Sequence, residues 1–175
     1  YNTVENIGFK SGNILEPSAG IGNFVGYMPK NMRKDSTISA VELDRISGNI
    51  SKFLYDDITV YITGLQSSNI KKNSQDLVVT NAPFGNFQIY DTDFQGNKSF
   101  LLKRIHNYFF AKALDQAREG GIIAMVTSKG VLDSKSNKEV REYINKNADF
   151  LGAIRLPNMA FQNNKFSEKE IHLRT

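Results

Sequence analysis

The chain has 175 residues, 40% of them apolar, which is enough for one ordinary globular core and too little for two. Its 22 basic and 18 acidic residues leave a net charge of +4, a mild bias toward polyanions that decides nothing alone. Cysteine is absent, which excludes disulfides, thiolate zinc sites and cysteine nucleophiles together.

Residues 1–10 are polar and mixed, and no apolar run reaches bilayer length, so a cytoplasmic protein with no membrane partner is expected. Asn13 to Glu16 reads as a short strand running into Pro17-Ser18-Ala19-Gly20-Ile21-Gly22, after which Asn23 starts a short helix ending near Pro29. Ser36 to Val41 is the next strand and ends on an acid, Glu42. From Leu43 to Tyr55, Ile46, Ile50, Phe53 and Leu54 recur at helical spacing, which predicts an amphipathic helix packed back across a sheet. Ile58 to Thr63 alternates as a third strand, closed by Gly64, and Asp76 to Thr80 makes a fourth that leads directly into Asn81-Ala82-Pro83-Phe84.

A polar loop with scattered aromatic residues follows to Ser99, then the longest helical pattern, Phe100 to Arg118, stopped by Gly120-Gly121. Ile122 to Val126 is a continuous apolar run, the pattern of a central parallel strand covered on both faces. A helix from about Asn137 to Lys146 and a strand from Phe150 to Leu156 complete the reading. Strands alternating with helices predict an α/β fold with a doubly wound, mostly parallel sheet. His106 and His172 stand far apart without ligand-spaced companions and read as surface or edge residues, so no metal centre is expected.

In such a sheet, ligands bind beyond the carboxyl ends of the strands. Gly20 and Gly22 permit close approach to the main chain there, while Glu16 adds a negative charge. A phosphate prefers positive potential and a free helix N-terminus; an ammonium or sulfonium prefers a carboxylate, so the first loop favours a cationic ligand. Glu42, at the end of the second strand, is placed to accept both hydroxyls of a ribose, a role shared by nicotinamide and methionine-derived cofactors. Gln66 is the candidate for an adenine amino group in the third loop, and Leu43 and Phe24 are candidates for apolar contact with the cofactor.

The fourth loop carries the most specific pattern. The side-chain oxygen of Asn81 and the carbonyl of Ala82 can each accept one hydrogen of a planar amino group, drawing its nitrogen toward a pyramidal, nucleophilic state. Pro83 restricts Ala82 to extended conformations, and Phe84 can stack on an aromatic base. Taken alone, the pattern also describes a strand-ending turn with a buried phenylalanine.

Glu16-Pro17-x-x-Gly20-x-Gly22, Glu42 and Asn81-Ala82-Pro83-Phe84, in that order, resemble the amino-group methyltransferases whose signature is Asn-Pro-Pro-Tyr or Asn-Pro-Pro-Phe. Gly12 to Ser18, Asn81 to Phe87, Tyr108-Phe109-Phe110-Ala111-Lys112 and Gly152 to Asn158 look like the adenine-specific DNA methylases of phages and conjugative elements, over nearly all of residues 1–161. The resemblance implies a class I, Rossmann-like methyltransferase domain spanning residues 1–175, with S-adenosylmethionine as cofactor and adenine in DNA as substrate. It implies a fragment of a larger protein whose other domains, helicase or target-recognition, lie elsewhere; no target-recognition domain is evident here.

On the same resemblance, Asn81, Ala82, Pro83 and Phe84 are catalytic; Glu16, Pro17, Ala19, Gly20, Gly22, Phe24, Glu42, Leu43, Gln66 and Asn81 hold the cofactor; and Phe84, Phe87 and Tyr90 meet the extruded base. Lys98, Lys103 and Arg104 are candidates for DNA phosphates. Ala82 departs from the commoner proline and is expected to loosen the loop by freeing one torsion. After Phe161 the likeness fades, and Ile171-His172-Leu173 is the one short candidate for a closing strand.

Three rival readings stand beside this one. A protein-glutamine amide methyltransferase would use the same acceptor geometry. A nicotinamide enzyme would need a complete glycine fingerprint, for which Gly26 comes one residue late. A third is an inactive module that binds cofactor or tethers DNA.

Overall fold

The computed structural model describes residues 1–85 and 87–157. Five strands, β1 (Asn13–Glu16), β2 (Thr37–Glu42), β3 (Thr59–Ile62), β4 (Gln75–Asn81) and β5 (Ala117–Val126), form one sheet in the order β3-β2-β1-β4-β5. Every pairing is parallel. The chain winds outward from β1 to β3, then returns to place β4 on the other side of β1. The topological switch therefore lies between β1 and β4, where a doubly wound sheet opens its ligand crevice.

Alternation along the strands divides the core. Ile14, Leu77 and Val79 point to one face, where they meet Val4 of α1 (Asn2–Asn6), Val25 of α2 (Asn23–Gly26) and Met32 of α3 (Lys30–Lys34). Leu15 and Val78 point to the other, against Tyr108, Phe109 and Ala111 of the later helix Ile105–Gln116. Both faces of the central strands are thus covered, which is why they read as apolar runs rather than alternating ones.

Five expectations change. The helix α4 (Arg45–Leu54) forms, but it faces the sheet with Gly48 and Ser51, leaving Ile46, Ile50, Phe53 and Leu54 exposed. Close approach is the reason: a β-carbon at Gly48 would lie 2.9 Å from Ile62, so small residues outcompete large ones for that interface. Helix α5 (Ile105–Gln116) is shorter than its apolar pattern, preceded by a 3-10 stretch Gly96–Leu102 and followed at once by β5. β5 makes the outer edge of the sheet among the described residues, and its run Ile122–Val126 is only half-buried instead of covered on both faces.

Beyond α6 (Gly130–Asp133) and α7 (Lys138–Asn147), residues 150–156 form no strand, and Phe150, Leu151, Ile154 and Leu156 are exposed. A strand requires a ladder partner, and none pairs with this segment among the described residues. His106 is buried rather than superficial, and burial, then the neighbouring Arg104 charge, lowers its basicity. His172, Asn158 and the candidate strand Ile171-His172-Leu173 lie outside the described residues.

Candidate active site

All five strands run the same way, so the loops after β1, β2, β3 and β4 emerge at one end. The loop after β1 is organised around Glu16. Its side chain is 2% exposed, Oε1 accepts the Ser18 amide at 3.3 Å, and Oε2 has no partner among the described residues. Burial pushes this carboxyl up to about 8, opposed by the nearby Thr80 hydroxyl and the Ser18 amide and reinforced weakly by Glu42. A buried acid with an unpartnered oxygen suits a cationic ligand, because an ammonium would supply both the missing donor and the counter-charge.

Gly20 and Gly22 take positive φ of 56° and 88°, the left-handed region open to glycine, and carry the main chain from β1 into α2. Ala19 is buried, its amide bonded to the Val41 carbonyl at 2.9 Å, and Pro17 is buried beside it. Glu42 bridges two loops: Oε2 accepts the Gly20 amide at 2.6 Å and Oε1 the Asp44 amide at 2.7 Å. Each oxygen keeps a second lone pair for a hydroxyl. The expected carboxylate is therefore also a structural tie between β1 and β2.

The remaining cofactor candidates are less engaged. Gln66 is exposed, its amide folded over Gly64, where an added β-carbon would come within 2.5 Å of Nε2. Leu43 is exposed. Phe24 is half-buried, packed edge-on to Tyr1, whose hydroxyl donates to the Phe24 carbonyl at 2.9 Å.

Across the switch, β4 ends at Asn81, which is exposed, while Ala82 is only 1% exposed. The Ala82 amide donates to the Val126 carbonyl at 3.0 Å, continuing the β4–β5 ladder by one bond. The loosening expected from the missing proline is thus offset by a hydrogen bond that proline could not make. Ser18 joins the two loops directly, its hydroxyl bonding the Asn81 carbonyl at 3.0 Å and lying 3.3 Å from the Thr80 hydroxyl. Sequence alone assigned neither Ser18 nor Thr80 a role of its own: Ser18 ends the Gly12 to Ser18 segment, and Thr80 opens the expected catalytic loop Thr80 to Gly85.

Pro83, Phe84 and Gly85 are half-buried, whereas Phe87 and Tyr90 are exposed. The Phe87 ring folds against Gly85, so closely that a side chain at 85 would collide with it. Lys98 and Lys103 are exposed and Arg104 half-buried at the start of α5.

The matching of residues 20–161 to a family model settles the kinship of this arrangement. The chain belongs to the Eco57I restriction-modification methylase family. It is also 30% identical over 156 residues to the "Defense against restriction protein B" of Escherichia phage P1, covering 87% of this chain and 7% of that protein's length. Among solved structures, it is similar to the methyltransferase subunit of a type I restriction-modification system from Streptococcus thermophilus, with a TM-score of 0.63 and 14% identity over 77% of this chain and 33% of the other. A TehB-like S-adenosylmethionine-dependent methyltransferase from Corynebacterium glutamicum gives a TM-score of 0.54 and 17% identity, covering 82% and 70%.

This is a methylase domain on the S-adenosylmethionine-methyltransferase fold, as the motifs led us to expect. Among its described residues no helix is long and apolar enough to cross a membrane.

Proposed function

We propose that this domain transfers a methyl group from S-adenosylmethionine to the exocyclic amino group of adenine in DNA, as one catalytic unit of a longer protein. The observation that carries the reading is the meeting, at the β1–β4 switch, of the unpartnered Glu16 carboxylate oxygen and the Asn81-Ala82 acceptor pair, joined through Ser18. The 7% coverage of the phage relative supports a longer protein.

Glu16 takes the ammonium of the cofactor's methionine portion, and Glu42 takes its ribose hydroxyls beside Gly20. Gly22 and Pro17 shape the floor, and Ala19, Phe24, Leu43 and Gln66 flank the bound molecule. When bound, the cofactor supplies a methyl group on an electrophilic sulfonium. The Asn81 side-chain oxygen and the Ala82 carbonyl each accept one hydrogen of the adenine amino group, directing its lone pair toward that methyl. Phe84 stacks on the base and offsets part of the cost of removing it from the duplex. Phe87 and Tyr90, exposed in the same loop, contact the base or its neighbours, and Lys98, Lys103 and Arg104 neutralise phosphates.

The decisive experiment incubates the intact protein with labelled S-adenosylmethionine and unmethylated duplex DNA, beside Asn81→Ala. We expect label in adenine from the parent and none from the variant. Label in protein glutamine instead of DNA would overturn the substrate, equal labelling by both proteins would overturn the role of Asn81, and cofactor binding without any transfer would identify an inactive module.

A further inference from the structure

Tyr108 and Lys112 lie four residues apart on α5, within a motif to which methyl transfer assigns no role, and both donate to one buried carboxylate outside the cofactor crevice. The Tyr108 hydroxyl reaches Asp91 Oδ2 at 2.8 Å, and Lys112 Nζ reaches the same oxygen at 3.0 Å. Asp91 is 4% exposed, Lys112 6% and Tyr108 1%, so the ion pair is withdrawn from water. Asp91 Oδ1 accepts the Asp93 amide at 2.9 Å, and the Asp91 carbonyl accepts Gln95 Nε2 at 3.0 Å, closing the 3-10 turn Thr92–Phe94. Lys112 also reaches Asp93 Oδ2 at 3.0 Å, and its Nζ lies 5.6 Å from the Phe94 ring centre. The Phe94 ring is buried edge-on to Tyr108.

Resting on the function proposed above, we infer that Tyr108 and Lys112 are positioning residues, acting through Asp91 to fix the far end of the loop that presents the substrate base. The near end is held at Ala82 by the Val126 carbonyl; toward the far end the Ile89 amide donates to the Leu102 carbonyl at 3.1 Å, and Asp91 anchors the chain one residue beyond the exposed Tyr90. Between these points lie Phe84, Phe87 and Tyr90, the aromatic groups offered to the base. An apolar contact of equal volume would also retain the loop, but it would admit several arrangements. A buried carboxylate with two directional donors admits one, because any other leaves charge or hydroxyl unpaired. The i,i+4 spacing brings both donors to the same oxygen.

The test compares parent, Tyr108→Phe and Asp91→Asn, in the intact protein, by amide hydrogen exchange and by steady-state methylation of DNA. Tyr108→Phe keeps the ring packing and removes one donor, so it retains the fold. We expect exchange of the Ile89 amide, which donates to the Leu102 carbonyl at 3.1 Å, to rise at least about tenfold while β4 and α5 stay protected, with a loss of roughly tenfold in kcat/KM for DNA and unchanged affinity for S-adenosylmethionine. Unchanged exchange at Ile89, a matching loss of protection throughout α5, or faster Ile89 exchange with parental kinetics would each overturn the assignment. If the parent methylates no adenine yet both variants release the loop, the proposed function fails while the tether stands.

Discussion

The Ser18 hydroxyl bonds the main-chain carbonyl of Asn81 at 3.0 Å, tying the loop after β1 to the loop after β4 across the topological switch. One hydrogen bond therefore couples the position of the proposed cofactor loop to that of the proposed catalytic loop. Ser18→Ala removes this tie without a steric change. We expect a stability loss of about 1 kcal/mol and a fall of roughly tenfold in kcat with little change in cofactor affinity. Parental turnover in Ser18→Ala would show that the two loops hold their register without it.

We expect Glu16 to make the proposed cofactor site pH-sensitive. Burial raises its carboxyl to about 8, so the empty site holds it protonated across the neutral range, whereas an ammonium ligand requires the anion. Affinity for S-adenosylmethionine should rise from about pH 6 to about pH 8, with proton uptake by buffer on binding. Stability of the empty protein runs the other way: with the folded value above the ordinary 4.5, the contribution is full below that pH and is lost as pH rises through about 8. Glu16→Gln should flatten both trends. Calorimetric titration in buffers of different ionisation enthalpy and thermal melts across this range measure them; a pH-independent affinity would remove Glu16 from the ammonium site.

Ala82→Pro restores the commoner signature residue but deletes the donor to the Val126 carbonyl. We expect a loss of about 1–3 kcal/mol in stability, measured by denaturant unfolding, rather than the gain a proline gives where its amide is free. A variant more stable than the parent would mean that this bond contributes nothing.

Gly20 and Gly22 should respond differently to alanine. Both have positive φ, but a β-carbon at Gly20 meets open space, whereas at Gly22 it would collide with the Tyr55 ring. We expect about 1 kcal/mol for Gly20→Ala and several-fold more disruption for Gly22→Ala, read as the difference in thermal midpoints. Equal midpoints would place Tyr55 off the loop.

The legible parts of the chain were those governed by local pattern. β1 forms at the residues its apolar run marked, Asn13–Glu16, and Glu42 ends β2 as its position in the sequence indicated. Hydrophobic periodicity misled at α4, because it scores side-chain size, while the helix–sheet approach selects small residues such as Gly48. It misled again at Phe150 to Leu156, because a strand depends on a partner that is not encoded in its own residues.

By itself, the sequence determined the alternation of elements and the glycine turn after β1, and placed the proposed amino-acceptor residues Asn81 and Ala82 at the end of β4. All of these follow from backbone preferences and side-chain chemistry within a few consecutive residues. Only the tertiary structure decided that Glu16 is buried, with its carboxyl pushed up to about 8, that Ser18 bridges two loops, and that Asp91 answers Tyr108 and Lys112. Burial and directional hydrogen bonding depend on groups brought together from distant parts of the chain, a relation that no local pattern carries.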